Sequence, residues 1–89
     1  MRTIDVITKF INKEFYYSAS NLRSEQDKLI HYSTVIAQWD NNEIILNNTF
    51  YSTSTSKIQN TVMKLADDKN IKFHTVLNIP KNTTNLLNS

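Results

Sequence analysis

The chain has 89 residues, a net charge of +2 and neither glycine nor cysteine. Without glycine it holds no glycine-rich phosphate loop, no dinucleotide-binding fingerprint and no nucleophile elbow. Without cysteine it has no disulfide, thiolate zinc site or cysteine nucleophile. Two histidines are too few for a three-histidine metal site, and the length predicts one domain with one modest core.

Membrane insertion and secretion are not expected from the apolar pattern. No apolar run is longer than three residues, as in Ile44–Leu46 and Phe15–Tyr17, which is far short of a membrane span. Met1 and Arg2 are followed by Asp5 and Lys9, so no apolar signal region forms. We therefore expect a cytoplasmic protein.

The chain begins with a predicted amphipathic helix from Thr3 to about Phe15, with Thr3 as its N-cap. Phe15–Tyr17 either closes this helix or begins a short strand. Residues 18–28 are polar and are predicted to form a loop, with a short helical turn as the alternative. The helical stripe consists of isoleucines spaced at i, i+3 and i+7: Ile4, Ile7 and Ile11.

The middle of the chain has the composition of strands. Leu29–Trp39 is rich in β-branched and aromatic residues and is predicted to be one central strand. Asp40–Glu43 is the strongest turn signal, because asparagine tolerates positive φ, and Glu43–Leu46 is the returning strand. Asn47–Asn48 is a second pair of the same kind. Thr49–Tyr51 is either a short third strand or an extended lead into the next element.

A second helix is predicted from about Ser56 to Lys69, with Ser54 or Thr55 as its N-cap. Asn70 stands where a glycine usually ends a helix. Ile71–Ile79 alternates as a last strand, which Pro80 terminates.

These elements predict an α+β fold in the order α-β-β-(β)-α-β. The simplest architecture is a three- or four-stranded, mostly antiparallel sheet with both helices on one face. Residues 1–80 are predicted to form the single domain, and residues 81–89 a polar C-terminal tail.

No catalytic residues, metal site or cofactor are expected, and the chain is predicted not to be an enzyme. Ser54 and Lys57 have the S-x-x-K spacing of a serine nucleophile and its lysine base, but the partner motifs S-D-N and K-T-G are absent. A helix cap followed by a solvated lysine explains the same residues. His31 and His74 lie in predicted strands without an evident third ligand.

Two binding surfaces remain as alternatives. The first is a protein-binding surface that joins Trp39 and its turn to the hydroxyl-rich segment before the second helix, whose N-terminus also suits anions. The second is a nucleic-acid surface in which lysines bind phosphates and aromatic side chains stack on bases. The protein-binding set is Trp39, Asn41, Asn42, Tyr51, Ser54 and Lys57. The nucleic-acid set is Lys9, Lys13, Lys57 and Lys64.

Tyr32–Ala37 and Tyr51–Asn60 together resemble a family of small uncharacterised proteins carried by phages and plasmids of Gram-positive bacteria. The family pattern is Y-x-T-x-I-A, a strand, a turn, a strand and then Y-S-x-T-T-S-K-H-Q-N. The match covers about residues 30–62 and departs from the pattern at Ser54, where the family has Thr, and at Ile58, where it has His.

The resemblance implies an accessory gene of a mobile element, and such genes often encode inhibitors of host defence, including anti-CRISPR proteins. We therefore expect a protein that binds a host protein stoichiometrically in the host cytoplasm. A nucleic-acid-binding module is the alternative, no membrane partner is expected, and a homodimer remains open.

Overall fold

Two helices and six strands follow one another in a computed structural model that describes residues 1–87. They are α1 (Thr3–Ile11), β1 (Ser18–Ala19), β2 (Leu22–Glu25), β3 (Lys28–His31), β4 (Thr34–Asp40), β5 (Glu43–Asn47), α2 (Thr53–Asp68) and β6 (Phe73–Val76). The strands lie in the sheet in the order of the chain, from β1 to β6. Neighbours are antiparallel except β5 and β6, which are parallel and are joined through α2. The α+β class is confirmed, whereas the predicted count of three or four strands is too low.

Four two-residue turns of one construction explain the missed strands. The residue that opens each turn has a positive φ, namely Ser20 (54°), Gln26 (52°), Tyr32 (57°) and Asn41 (57°). Sequence reasoning recognised only the turn at Asn41, because serine, glutamine and tyrosine are not typical of this conformation. Residues 18–28 are thus not a loop, and Leu29–Trp39 is not one strand but parts of β3 and β4 with a turn between them.

The helix α1 ends at Ile11 rather than near Phe15. Lys13 has a φ of 59°, which lies outside the helical region and turns the chain away. The helix begins at Thr3 as predicted, but its N-cap is Arg2. The backbone N–H of Arg2 donates to Asp5 Oδ2 at 2.8 Å, so the acidic residue in the first turn closes the helix start.

The helix α2 begins earlier than predicted, because Ser52 is its N-cap rather than Ser54 or Thr55. The Ser52 hydroxyl accepts from the Thr55 backbone N–H at 3.3 Å. At the other end Asn70 has a φ of 57° and donates to the carbonyl of Asp67 at 3.1 Å, while Ile71 donates to that of Ala66 at 2.8 Å. This is a Schellman motif, so the prediction for Asn70 is confirmed.

Both helices pack on one face of the sheet and share its larger core. The core takes apolar side chains from α1, α2 and the strands facing them: Val6, Ile7, Phe10, Ile11, Leu22, Leu29, Ile36, Ala37, Trp39, Ile44, Leu46, Ile58, Val62 and Ala66. Asn47, which was grouped with the turn residues, is instead the last residue of β5 and is buried.

The other face of the sheet is covered by the segment after β6. Ile79 and Leu86 pack against Ile30, Val35 and Ile45 in a second apolar cluster. The Leu86 backbone N–H donates to Gln38 Oε1 at 2.8 Å, and the Val35 N–H donates to the Thr83 carbonyl at 2.9 Å. Of the predicted polar tail, residues 81–87 therefore lie against the domain, and residues 88 and 89 lie outside the described part.

Neither helix within residues 1–87 has the length and apolar character needed to cross a bilayer.

Candidate functional site

A pocket of about 360 Å³ opens at the end of the sheet where β3 finishes and α2 begins. The turn between β3 and β4, the start of α2 and the segment after β6 meet there. Most of the lining residues are of polar type, and none of them is a carboxylate. The lining residues are His31, Tyr32, Ser33, Thr34, Ile36, Tyr51, Ser52, Ser54, Thr55, Lys81 and Asn82.

A chain of hydroxyl groups connects the cap of α2 to the His31 ring. The Ser52 hydroxyl accepts from the Thr55 N–H and donates to Thr55 Oγ1 at 3.1 Å. Thr55 Oγ1 lies 2.8 Å from His31 Nδ1. When Thr55 Oγ1 donates its proton to His31 Nδ1, the neutral ring carries its own proton on Nε2.

His31, which lines the pocket, has an acidity that burial changes. Its side chain is only 8% exposed, and burial lowers the pKa of His31 below its ordinary value of 6.5. The lowered pKa favours the neutral imidazole at pH 7. The ring of the neighbouring Tyr32 lies 4.5 Å from it between centroids and is largely exposed.

A second hydrogen-bond network joins the elements that form the wall of the pocket. Asn47 Nδ2 donates to the Val35 carbonyl at 3.1 Å and to the Tyr51 hydroxyl at 2.8 Å. The Tyr51 hydroxyl donates in turn to the Ile79 carbonyl. Gln59 Nε2 donates to the Asn47 carbonyl at 2.6 Å. These bonds hold β4, β5, α2 and the segment after β6 together, so the pocket has a rigid base.

The residues of the predicted protein-binding surface lie at two ends of the sheet. Tyr51 and Ser54 line the pocket, and Lys57 is exposed one turn further along α2. Trp39 and the turn Asn41–Asn42 lie at the opposite end of the sheet, in the hairpin that joins β4 to β5. These two groups do not form one surface.

Trp39 is 7% exposed, so it belongs to the core and not to an exposed binding surface. Its Nε1 donates to the Phe10 carbonyl at 2.9 Å. Lys13 Nζ lies 4.6 Å from the centre of the Trp39 ring and contacts the Asn41 carbonyl and Asn42 Oδ1 at 3.4 and 3.3 Å. These residues join α1 to the hairpin, so their described contacts are internal to the fold.

The lysines of the nucleic-acid alternative differ in their surroundings. Lys9 pairs with Glu14 at 3.8 Å and lies 5.2 Å from the centre of the Tyr17 ring. Lys13 is held at the hairpin. Lys57 and Lys64 are exposed on α2, and no ion pair within residues 1–87 involves them.

The serine and lysine of the S-x-x-K spacing are not in contact in the described part of the chain. The Ser54 hydroxyl lies 3.2 Å from that of Ser52, and no hydrogen bond joins Ser54 to Lys57. His31 and His74 lie on β3 and β6, three strand spacings or about 14 Å apart in the sheet. Among residues 1–87, no group of three His, Asp or Glu side chains could hold a metal ion.

Most lining residues are outside the predicted binding sets, including His31, Tyr32 and Lys81. The two stretches that carry the family resemblance gave a usable signal, since residues of both 32–37 and 51–60 line the pocket. Lys81 had no such signal, because its position depends on how the segment after β6 folds back.

Comparison with known proteins gives no relative: no family model, no curated protein and no solved structure matches the chain.

Proposed function

We propose that this chain is a non-enzymatic accessory protein of a phage or mobile element that binds a host protein stoichiometrically in the host cytoplasm. An inhibitor of host defence, of the anti-CRISPR type, is its concrete form. The resemblance of residues 30–62 to proteins of mobile elements supports the biological setting. The structural observation that carries the proposal is a group of exposed apolar side chains at one end of the sheet.

That group consists of Tyr32, Phe50 and Leu77, which we call the apolar rim. Phe50 is 72% exposed, and Tyr32 and Leu77 are more than half exposed. Tyr32 opens the turn after β3, Phe50 lies beyond the end of β5, and Leu77 directly follows β6. Because β5 and β6 are parallel and β4 runs antiparallel to β5, these positions share the end of the sheet that holds the pocket.

Exposed aromatic side chains near a polar pocket are typical of protein-binding surfaces, in which a few large side chains supply most of the affinity. Tyr51, Ser54 and Lys57 of the predicted surface lie at this end and remain in the proposal. Trp39, Asn41 and Asn42 do not lie there. The partner is therefore expected to cover the apolar rim and the start of α2.

Capture from the lysate of a Gram-positive host, with and without nuclease, tests this proposal. Phe50→Ala should reduce capture of the partner by about tenfold, as for an interface aromatic. Tyr16→Ala is the matched control, since Tyr16 is also 72% exposed but lies outside the apolar rim. Its backbone N–H donates to the Ser24 carbonyl of β2. The captured complex should contain the two proteins in a fixed ratio by light scattering.

Equal loss of capture in both variants would contradict the choice of surface. Failure to capture any protein would contradict the proposal itself. Capture that disappears after nuclease treatment would favour the alternative, a nucleic-acid-binding module. That alternative is supported by Lys57 and Lys64, which are exposed on α2 and have no ion pair in the described part of the chain. In that case affinity should fall steeply with salt, and Lys57→Ala and Lys64→Ala should each reduce the slope by about one.

A further inference from the structure

We propose that the pocket binds a small organic oxyanion, a carboxylate or phosphate attached to an apolar or planar body. The oxyanion is held by His31 Nε2–H, the Lys81 ammonium group and the first backbone amides of α2. This site goes beyond partner binding, because it requires no second macromolecule.

The first observation is the free edge of the His31 ring. His31 Nδ1 is bonded to Thr55, and no hydrogen bond within residues 1–87 involves Nε2. No fully buried side-chain nitrogen or oxygen in that part of the chain lacks a partner, so Nε2 reaches solvent, although the residue is more than nine-tenths buried. His31 lines the pocket, which gives Nε2 that access. When Thr55 donates to Nδ1, Nε2 carries the ring proton and can donate it in a hydrogen bond to an acceptor on the ligand.

The second observation is the start of α2 at the same pocket. The helix begins at Thr53 after the Ser52 cap, and the backbone N–H groups of Thr53 and Ser54 have no acceptor within the helix. They carry the positive end of the helix dipole, which favours an anion. Lys81 adds a full positive charge to the wall, and no lining residue supplies a negative one.

The volume and the remaining wall indicate the body of the ligand. A pocket of about 360 Å³ is larger than inorganic phosphate needs and lies at the small end of the range for organic ligands. The rings of Tyr32 and Tyr51 and the side chain of Ile36 line it. An apolar or planar group attached to the oxyanion would bury these surfaces and stack on Tyr32.

Titration of the purified chain, followed by the NMR signals of the His31 ring and the Ser54 and Thr55 amides, tests the site. The probes are phenyl phosphate, benzoate, inorganic phosphate and the cation benzylamine. Each probe is added to a concentration of about 20 mM at constant ionic strength, which is well above a millimolar Kd. Phenyl phosphate or benzoate should produce saturable shifts of these signals, inorganic phosphate weaker binding, and benzylamine none. The stronger of the two organic anions identifies the head group.

Three variants connect the binding to the proposed groups. Lys81→Met should weaken binding about fivefold or more, the usual effect of losing a charge-assisted contact. Lys64→Met should leave it unchanged, because Lys64 lies eleven residues or about 16 Å along α2 from Thr53. His31→Phe should weaken binding about tenfold, with thermal melting used to confirm that the variant is folded.

Absence of saturable shifts with both organic anions would overturn the inference. Equal weakening by Lys64→Met and Lys81→Met would also overturn it, since binding would then reflect net charge alone. The experiment contains no partner protein, so its failure leaves the proposed host-protein binding standing, and loss of partner capture leaves this site standing.

Discussion

Leu86 closes the second face of the sheet, and its replacement by alanine tests whether the segment after β6 belongs to the folded domain. Its side chain is 1% exposed and packs with Ile30, Val35 and Ile45. Its backbone N–H is bonded to the buried Gln38 side chain. Leu86→Ala therefore leaves a cavity between the segment and the sheet while the backbone bond can still form.

The expected cost follows from this burial. Replacing a fully buried leucine by alanine destabilises proteins by about 2–5 kcal/mol, and we expect about 3 kcal/mol here, because the cluster lies under a single chain segment that can partly collapse. A domain of this size has a free energy of unfolding of roughly 5–13 kcal/mol. At about 4–8 °C per kcal/mol, the Tm should fall by roughly 12–24 °C.

Urea denaturation followed by fluorescence measures this change. Trp39 is the single tryptophan and lies in the core on the opposite face, so it reports unfolding of the whole domain rather than loss of the segment. Leu87→Ala is the control, because Leu87 is 48% exposed, and it should change the free energy by less than about 0.5 kcal/mol. If the two variants have the same stability, the packing of this segment is refuted.

Asn70→Gly should be neutral or raise the free energy of unfolding by up to about 1 kcal/mol, because glycine adopts positive φ more readily than asparagine; clear destabilisation in urea would contradict the Schellman motif. The lowered pKa of His31 means that the unfolded chain takes up a proton first, so stability should fall as the pH decreases through 6.5 and level off below the folded-state pKa. Urea titrations across this range should show that His31→Gln loses this dependence, and an unchanged slope would contradict it. Lys13→Ala should cost about 1 kcal/mol and alter the fluorescence of Trp39 through the lost cation–π contact, whereas Lys64→Ala should change neither.

Helices and the best turn were predictable because their signals are local. The isoleucine spacing of α1, the period of α2 and the turn at Asn41 each depend on neighbours within a few residues. Asn70 was assigned correctly for the same reason, since helix ends have their own local chemistry. The α+β class follows from these elements together.

Strand number was not predictable, because three of the four tight turns open with residues that rarely adopt positive φ. Tyr32 was counted within a strand on its β propensity, yet it opens the turn between β3 and β4. Such a conformation is imposed by the packing of the flanking strands rather than by the residue itself. Because the sequence has no glycine, no glycine marks these positions as turns.

The candidate site was predictable only in part. The hydroxyl-rich segment before α2 indicated a binding surface, and two of its predicted residues, Tyr51 and Ser54, line the pocket. The contribution of His31 depends on its register in β3, and that of Lys81 on the fold of the last segment. Trp39 lies in the core because α1 packs against it, and proximity to a turn in the sequence does not indicate this packing.

The agreement between strand order in the chain and in the sheet has a consequence for folding. Strands β1 to β5 join through adjacent hairpins, and such local contacts form early. The parallel pairing of β5 with β6 must wait until α2 has closed a much longer loop, and the segment that carries Lys81 follows β6. We therefore expect the pocket to be completed late in folding, so that a ligand of this pocket would bind the folded protein.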